Sequence, residues 1–336
     1  MPALLQSDDV YAATRRGLAA KVAKFPELIY VPNGKSGTVT VVDPRTRRVV
    51  GTYPAGSVPQ HVVPSYDLTT LWVNSSGSNT LTRMDPATGK VLATVAVDDP
   101  YNLYFTPDGK FAVVMAERLR RIDFRDPQTM ALKASLPVPC AGINHADFSR
   151  DGRTFVVSCE FSGDLLELDT AGQRITRTLA LPAGSKPQDV KLSPDGTTYF
   201  VADLNRGGLV VLDAPTFTVK GFIPTGAGAH GLYVSRDSKD LYVTNRSAGT
   251  VSVLDLATRT VRATWRLPAG ASPDMGNLTA DGQTLWLSSR YGQDIYALDV
   301  KTGRTVATVR VGLGPHGLTV FPQPGRYSLG HTGIMR

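Results

Sequence analysis

Along the chain, short apolar runs alternate with polar turns, and nothing between the turns is long enough for a helix of several turns. The runs are rich in β-branched and aromatic residues, as in Ile29–Asn33, Leu71–Ser75, Tyr199–Asp203 and Leu241–Asn245, which is the composition of strands. Two turn columns fix the register. One is an Asp that ends a strand: Asp43, Asp85, Asp126, Asp169, Asp213, Asp255 and Asp299, spaced by 41 to 44 residues. The other is a polar turn centred on Asp, usually followed by Gly, at Thr106–Lys110, Ser149–Arg153, Ser193–Thr197, Ser235–Lys239 and Thr279–Gln283, with a degenerate copy at Ser65–Asp67. Asp-Gly suits a tight hairpin because it tolerates positive φ.

Seven copies of a unit of about 42 residues make a repeat protein, and each unit reads as four strands, A to D. In the second unit A is His61–Pro64, B is Leu71–Asn74, C is Leu81–Met84 and D is Val91–Val97. One such sheet cannot bury both faces, but sheets arranged radially cover one another. The predicted fold is an all-β, seven-bladed β-propeller of four-stranded antiparallel blades. Ile29–Pro32 is a B strand with no A before it, and Gly317–Phe321 is an A strand with no B after it. The N-terminal B strand is therefore expected to pair with the C-terminal A strand and close the ring, removing two sheet edges. This leaves an N-terminal extension (1–27), the propeller (28–321) and a C-terminal tail (322–336). In the extension, Ser7, Asp8 and Asp9 are placed to cap a short helix through Lys24; a disordered arm is the alternative.

Composition narrows the function classes. The chain is 42% hydrophobic and 19% charged, as in ordinary globular proteins. The net charge of +7 is scattered, with one short cluster at Arg118, Arg120 and Arg121 and no aromatic interleaving, which argues against nucleic acid. No apolar run reaches membrane-spanning length, and the N-terminal segment lacks the apolar core of a secretory signal. The expectation is a cytoplasmic monomer without nucleic-acid or membrane partners. Two cysteines, Cys140 and Cys159, are too few for a disulfide framework. A disulfide, a thiolate ligand and inert thiols are all open, with inert thiols favoured in a cytosolic setting. The sequence holds no nucleophile elbow, Walker loop, dinucleotide fingerprint or haem attachment motif.

Tyr242–Asn245 (YVTN) and Tyr30–Asn33 (YVPN), with the neighbouring SPDG, LDxATG-like and GPHGL segments, resemble the YVTN-repeat, YncE-like propellers. The resemblance spans nearly the whole ring and implies the same fold. It implies little about activity, because such rings carry unrelated chemistries on their loops.

The departures from the repeat carry the candidate chemistry. In such a blade, the residues opening strand A and those closing strand B gather at one mouth of the ring, the top. Counted back from the Ser or Thr after strand A, one column reads Gln60, Tyr101, Asn144, Gln188, His230, Asp274 and His316. The next reads His61, Asn102, His145, Asp189, Gly231, Met275 and Gly317. Four of the five histidines fall in these columns, and His331 lies in the tail. Strand B ends add Glu117, Glu160, Asn245, Arg246 and Arg290. One reading is a single transition-metal ion (Cu, Zn, Fe or Ni) on several of His61, His145, His230 and His316, activating water or substrate at an open position. A second is metal-free acid–base catalysis by His61 or His145 with Glu117 or Glu160, Arg246, Arg290, Asp189 and Asn245 binding a small polar or anionic substrate. These suit a lyase or hydrolase. A third makes the histidines polar loop residues of a non-catalytic binding or scaffold propeller. The mouth reads as polar and ionisable, where a scaffold would present an apolar patch.

Overall fold

Each turn column is held by bonds from its own side chains. In the first, the Asp carboxylate accepts a backbone N–H two or three residues on, as Asp85 does from Ala87 (2.7 Å) and Asp299 from Thr302 (2.7 Å). In the second, the leading hydroxyl donates to the Asp, from Thr106 to Asp108 (2.7 Å) through Thr279 to Asp281 (2.6 Å). The degenerate copy makes the same bond, Ser65 to Asp67 at 2.6 Å. The residue after that Asp takes positive φ whether it is Gly109 (70°), Ser238 (61°) or Leu68 (62°). The turn geometry therefore outlasts loss of the glycine that best tolerates it.

These hairpins fold into the ring. In the computed structural model, which describes residues 2–336, the strands form seven four-stranded antiparallel sheets among the described residues. Blade 2 consists of Pro59–Pro64, Leu71–Ser75, Thr80–Met84 and Val91–Ala96, close to the strands read from sequence. Blade 1 takes its A strand, Thr319–Phe321, from the far end of the propeller. That strand pairs with Leu28–Asn33 through Leu28–Phe321, Ile29–Val320 and Tyr30–Thr319. Strands A and B are buried, whereas outer strands such as Arg174–Ala180 alternate exposed and half-buried residues. The core is the set of seams between blades. Met115 and Phe124 of blade 3, for example, share an apolar cluster with Phe155 and Leu166 of blade 4.

Polar bonds between neighbouring A strands tie the blades around the axis. Tyr104 Oη accepts the Ala146 N–H (2.9 Å), and Tyr233 Oη the Gly276 N–H (2.7 Å). Asp147 accepts the Leu192 N–H (2.8 Å), and Asp189 the Leu232 N–H (3.0 Å).

Both flanking segments are built into the lower end of the ring. The extension is not one helix through Lys24. It makes a 3₁₀ turn at Ala12–Arg16 and a single helical turn at Ala20–Ala23, separated by Gly17 at φ 73°. Val10, Tyr11 and Val22 are buried, and Tyr11 Oη donates to the Leu192 carbonyl (2.8 Å). The tail is buried from Gln323 to Arg336 at most positions. Its Leu329 carbonyl accepts the Phe105 N–H (3.0 Å), and Arg336 reaches the Ser149 carbonyl (3.0 Å) in a lower turn. Cys140 and Cys159 form a disulfide, which corrects the expectation of inert thiols. No helix among the described residues is long and apolar enough to cross a membrane.

Candidate functional site

Strand A begins with an irregularity in six blades: the pairing with strand B shifts between Pro59 and His61, Pro100 and Asn102, Ile143 and Ala146, Pro187 and Val190, Ala229 and Leu232, and Pro273 and Gly276. A bulge re-aims side chains that would otherwise alternate. Residues from both columns thus meet on the ring axis. His61 and His145 of the second column join His331 of the tail, their ligand nitrogens all within 4.8 Å of one another. His230, Asp274 and His316 of the first column form an equally tight group. The two groups adjoin: ring centroids lie 4.6 Å apart for His61 and His316, and 5.8 Å for His145 and His230. Every histidine of the chain is in this cluster, and all are buried.

Burial keeps these imidazoles neutral. It is the largest influence on each, pushing His145 down to about 3 and His61, His230, His316 and His331 well below the usual range, with Arg246, Arg290 or neighbouring histidines adding to the effect. The tautomers follow from the partners. Asn144 Oδ1 lies 2.9 Å from His145 Nδ1 and also accepts the Ser158 hydroxyl (2.9 Å), while Asn144 Nδ2 donates to Glu160 (3.0 Å). The amide is thereby oriented, and His145 carries its proton on Nδ1. Its Nε2 then presents a lone pair. Gln60 Oε1 lies 2.9 Å from His316 Nδ1. Nε2 of His145 and of His331, and both nitrogens of His61, have no hydrogen-bond partner among the described residues. Buried polar atoms are rarely left so, and neutral imidazoles held by a second hydrogen bond are what metal ions bind.

Asp274 is a charge hub. It accepts Arg246 Nε (3.0 Å), lies 3.7 Å from Arg290 Nε and contacts His230 Nδ1 (3.2 Å) and His316 Nε2 (3.5 Å). Arg246 is therefore engaged with a carboxylate at the roof of the cluster, and Arg290 is the more exposed of the two. Tyr101 lies beside them, its ring 5.4 Å from that of His61.

The other sequence candidates sit elsewhere. Glu117 and Glu160 lie one residue out from the histidines, sharing Asn144. Burial first, then the Glu160 charge, pushes Glu117 up to about 8, and burial also raises Glu160. Asp189, pushed up to about 6 mainly by burial, has its oxygens on the Val190 and Leu232 N–H groups. It ties neighbouring blades together. Asn245 is likewise structural: Nδ2 donates to Thr250 and Ser252 (both 3.0 Å), and Oδ1 accepts from Thr225. Asn33 makes the matching bonds to Thr38 and Thr40, so the Asn that ends the YVTN strand is a hairpin clamp. The rim is also less polar than expected. Val58, Leu119, Phe161, Tyr291 and Leu313 of the upper loops are exposed.

Sequence reasoning missed His331 and Asp274 as site residues. Asp274 stood in a histidine column, and that position was the available signal. His331 follows no repeat and had none.

The ring, its seven blades and its closing strand define a β-propeller. The chain belongs to the family described as YNCE-like beta-propeller, which it matches over residues 2–326. Among solved structures it is similar to a functionally unknown protein from Desulfotomaculum acetoxidans (TM-score 0.74, 16% identity, covering 87% of this chain and 98% of that one). It is similar to Kuenenia stuttgartiensis hydrazine synthase (TM-score 0.67, 20% identity, 84% and 92%). A third is the dihydro-heme d1 dehydrogenase NirN in complex with DHE (TM-score 0.66, 15% identity, 95% and 82%). At these identities the likeness is one of fold. No curated protein matches the sequence.

Proposed function

We propose that this propeller is a metal-dependent enzyme whose ring axis holds a transition-metal ion on His61, His145 and His331. The observation that carries the reading is the convergence of three buried, neutral imidazoles with ligand nitrogens within 4.8 Å of one another and, among the described residues, no competing partner on Nε2 of His145 or His331 or on either nitrogen of His61. Imidazole sets of this kind suit Cu, Zn, Fe or Ni. The ion would supply Lewis-acid activation of a bound water or substrate, which suits lyase or hydrolase chemistry. Arg290 and Tyr101 are the groups placed to meet a small anionic substrate at the roof, with Arg246 held back by Asp274. Protonated Glu117 would supply a nearby acid.

Elemental analysis of the purified protein tests this. Wild type should carry a metal that His61→Ala and His331→Ala lose. A metal-free wild type whose melting temperature is unmoved by Cu, Zn, Ni or Fe overturns it. The exposed rim side chains favour a second reading, a binding propeller whose top takes a protein partner. That reading needs no metal, so the same measurement separates the two.

A further inference from the structure

We infer that Asn74 is the positioning residue of His61: its side-chain carbonyl takes the Nδ1 proton of that imidazole and leaves Nε2 to the ion. The inference rests on the metal reading above and supplies the support that one of its three ligands lacks. A metal-binding histidine almost always gives its other ring N–H to an acceptor, which fixes the tautomer and the ring orientation. His145 has that acceptor in Asn144 Oδ1, at 2.9 Å. In blade 2 the residue at the position of Asn144 is Gln60. Its Oε1 lies against His316 Nδ1 (2.9 Å) and its Nε2 donates to Ser76 (3.2 Å). Neither end of that amide is left for His61.

Asn74 stands directly beside it. The two are register partners on strands A and B of blade 2, which puts their Cβ atoms about 4.5–5.5 Å apart. They share the side of the sheet that faces blade 3, where the next residues on that side, Val63 and Trp72, pack with Leu103 and Phe105. Both are fully buried. Among the described residues, neither amide atom of Asn74 and neither nitrogen of His61 has a hydrogen-bond partner. A buried amide with no bond at all is costly and rare. Side-chain rotation alone carries it to the edge of the imidazole, and Nδ1, the nitrogen nearer Cβ, is the one within reach.

The other blades show what Asn74 does not do. Its position is taken by Ser158 in blade 4, Thr244 in blade 6 and Ser288 in blade 7. Each of those hydroxyls holds the backbone at the strand A bulge. Ser158 accepts the His145 N–H (3.3 Å), Thr244 accepts the Gly231 N–H (2.7 Å), and Ser288 donates to the Met275 carbonyl (3.0 Å). Blade 2 has its bulge without any such bond from Asn74. An amide also reaches further than a hydroxyl, past the backbone to the side chain opposite.

The test is a competition titration of metal-stripped full-length protein with copper(II), the divalent ion such imidazole sets hold most tightly, against a chromophoric chelator. It is paired with heteronuclear NMR of the histidine rings in the metal-free protein. Asn74→Leu removes the amide at similar volume. Asn74→Ser installs the residue that blade 4 uses, which can hold a bulge but cannot reach the imidazole. Both variants are expected to keep the circular dichroism of wild type and to bind copper(II) about 10–100-fold more weakly. Both should also lose the Nδ1-protonated signal of His61, identified in wild type by its absence from His61→Ala. If wild type holds an ion that His331→Ala loses and both Asn74 variants hold as tightly, the metal reading stands and this inference falls. Wild-type affinity in Asn74→Ser alone also overturns it, because Asn74 then serves the bulge. If wild type binds none, both fail.

Discussion

Arg336 has a fully buried guanidinium that spans Asp147 (3.0 Å), the Phe148 carbonyl (2.7 Å) and the Ser149 carbonyl (3.0 Å). Asp147 keeps the Leu192 N–H when Arg336 is removed, but loses its charge partner inside the protein. Breaking one side of such a pair costs about 3–5 kcal/mol. Arg336→Ala should therefore lower the melting temperature clearly, and a shift near zero in a thermal scan would contradict the assignment. Glu117 offers a pH test. Its folded value of about 8 lies above the roughly 4.3 of an unfolded chain, so the folded state holds the proton more tightly. The stability this gives is complete below the unfolded value and is lost as pH rises through about 8. Wild type and Glu117→Gln share the opposite slope of the five neutral histidines at acid pH and the same-sign slopes of Asp189 and Glu160, so the difference between them reports Glu117: between pH 5 and 8.5 the melting temperature of Glu117→Gln should rise relative to that of wild type. Equal slopes in wild type and variant would refute it. At this scale the sequence was readable where chemistry departed from the repeat. His61, His145, His230 and His316 stood out because a turn position has no need of imidazole. Asp189 and Asn245 were not readable as the strand tie and hairpin clamp they form, because a polar side chain at the same position could equally face a ligand. Only its partners reveal which.

Strands and turns were almost wholly legible, because their period is set by local rules: Asp-centred turns, β-branched runs and the need to cover both faces of a sheet. The bulge at the head of strand A was not read, although Pro59, Pro100, Pro187 and Pro273 mark it. Proline lacks the N–H that regular pairing would use and is tolerated at such irregularities. That bulge is what lets both histidine columns face the axis. The disulfide is also an element-scale feature, joining the loop before strand A of blade 4 (Ile143–Phe148) to the end of its strand B (Thr154–Cys159) across 19 residues. Closing a loop of that size is worth about 3 kcal/mol in the chain-entropy account. Denatured, unreduced protein should show no reactive thiol, reduced protein two, and Cys159→Ser should melt lower than wild type. Two thiols titrating before reduction would disprove the bond. A persistent disulfide also fits an oxidising compartment better than the cytosol the sequence suggested.

At the scale of the whole molecule, the ring and its tail are coupled through one glycine. The tail turns upward at Gly330, where φ is 118°, a conformation open essentially to glycine. A Cβ there would lie 2.5 Å from the Leu103 carbonyl oxygen and 2.6 Å from Tyr104 Cα. Those atoms belong to strand A of blade 3 (Pro100–Phe105), which is fixed by its neighbours and cannot retreat. No repeat rule announces this, since a segment without register gives sequence reasoning nothing to align. The consequence is that the tail tip seats only with glycine at 330, and His331 reaches His61 and His145 only when it is seated. Gly330→Ala leaves every histidine in the chain yet should lose the metal that His331→Ala loses. The two variants should part in one respect. Gly330→Ala, with its tail unseated, should be cut by trypsin after Arg326 and melt lower even in chelator. His331→Ala should resist the protease. Retention of the metal by Gly330→Ala, with the tail uncut, would show that the ring holds its histidine centre independently of how the tail is threaded.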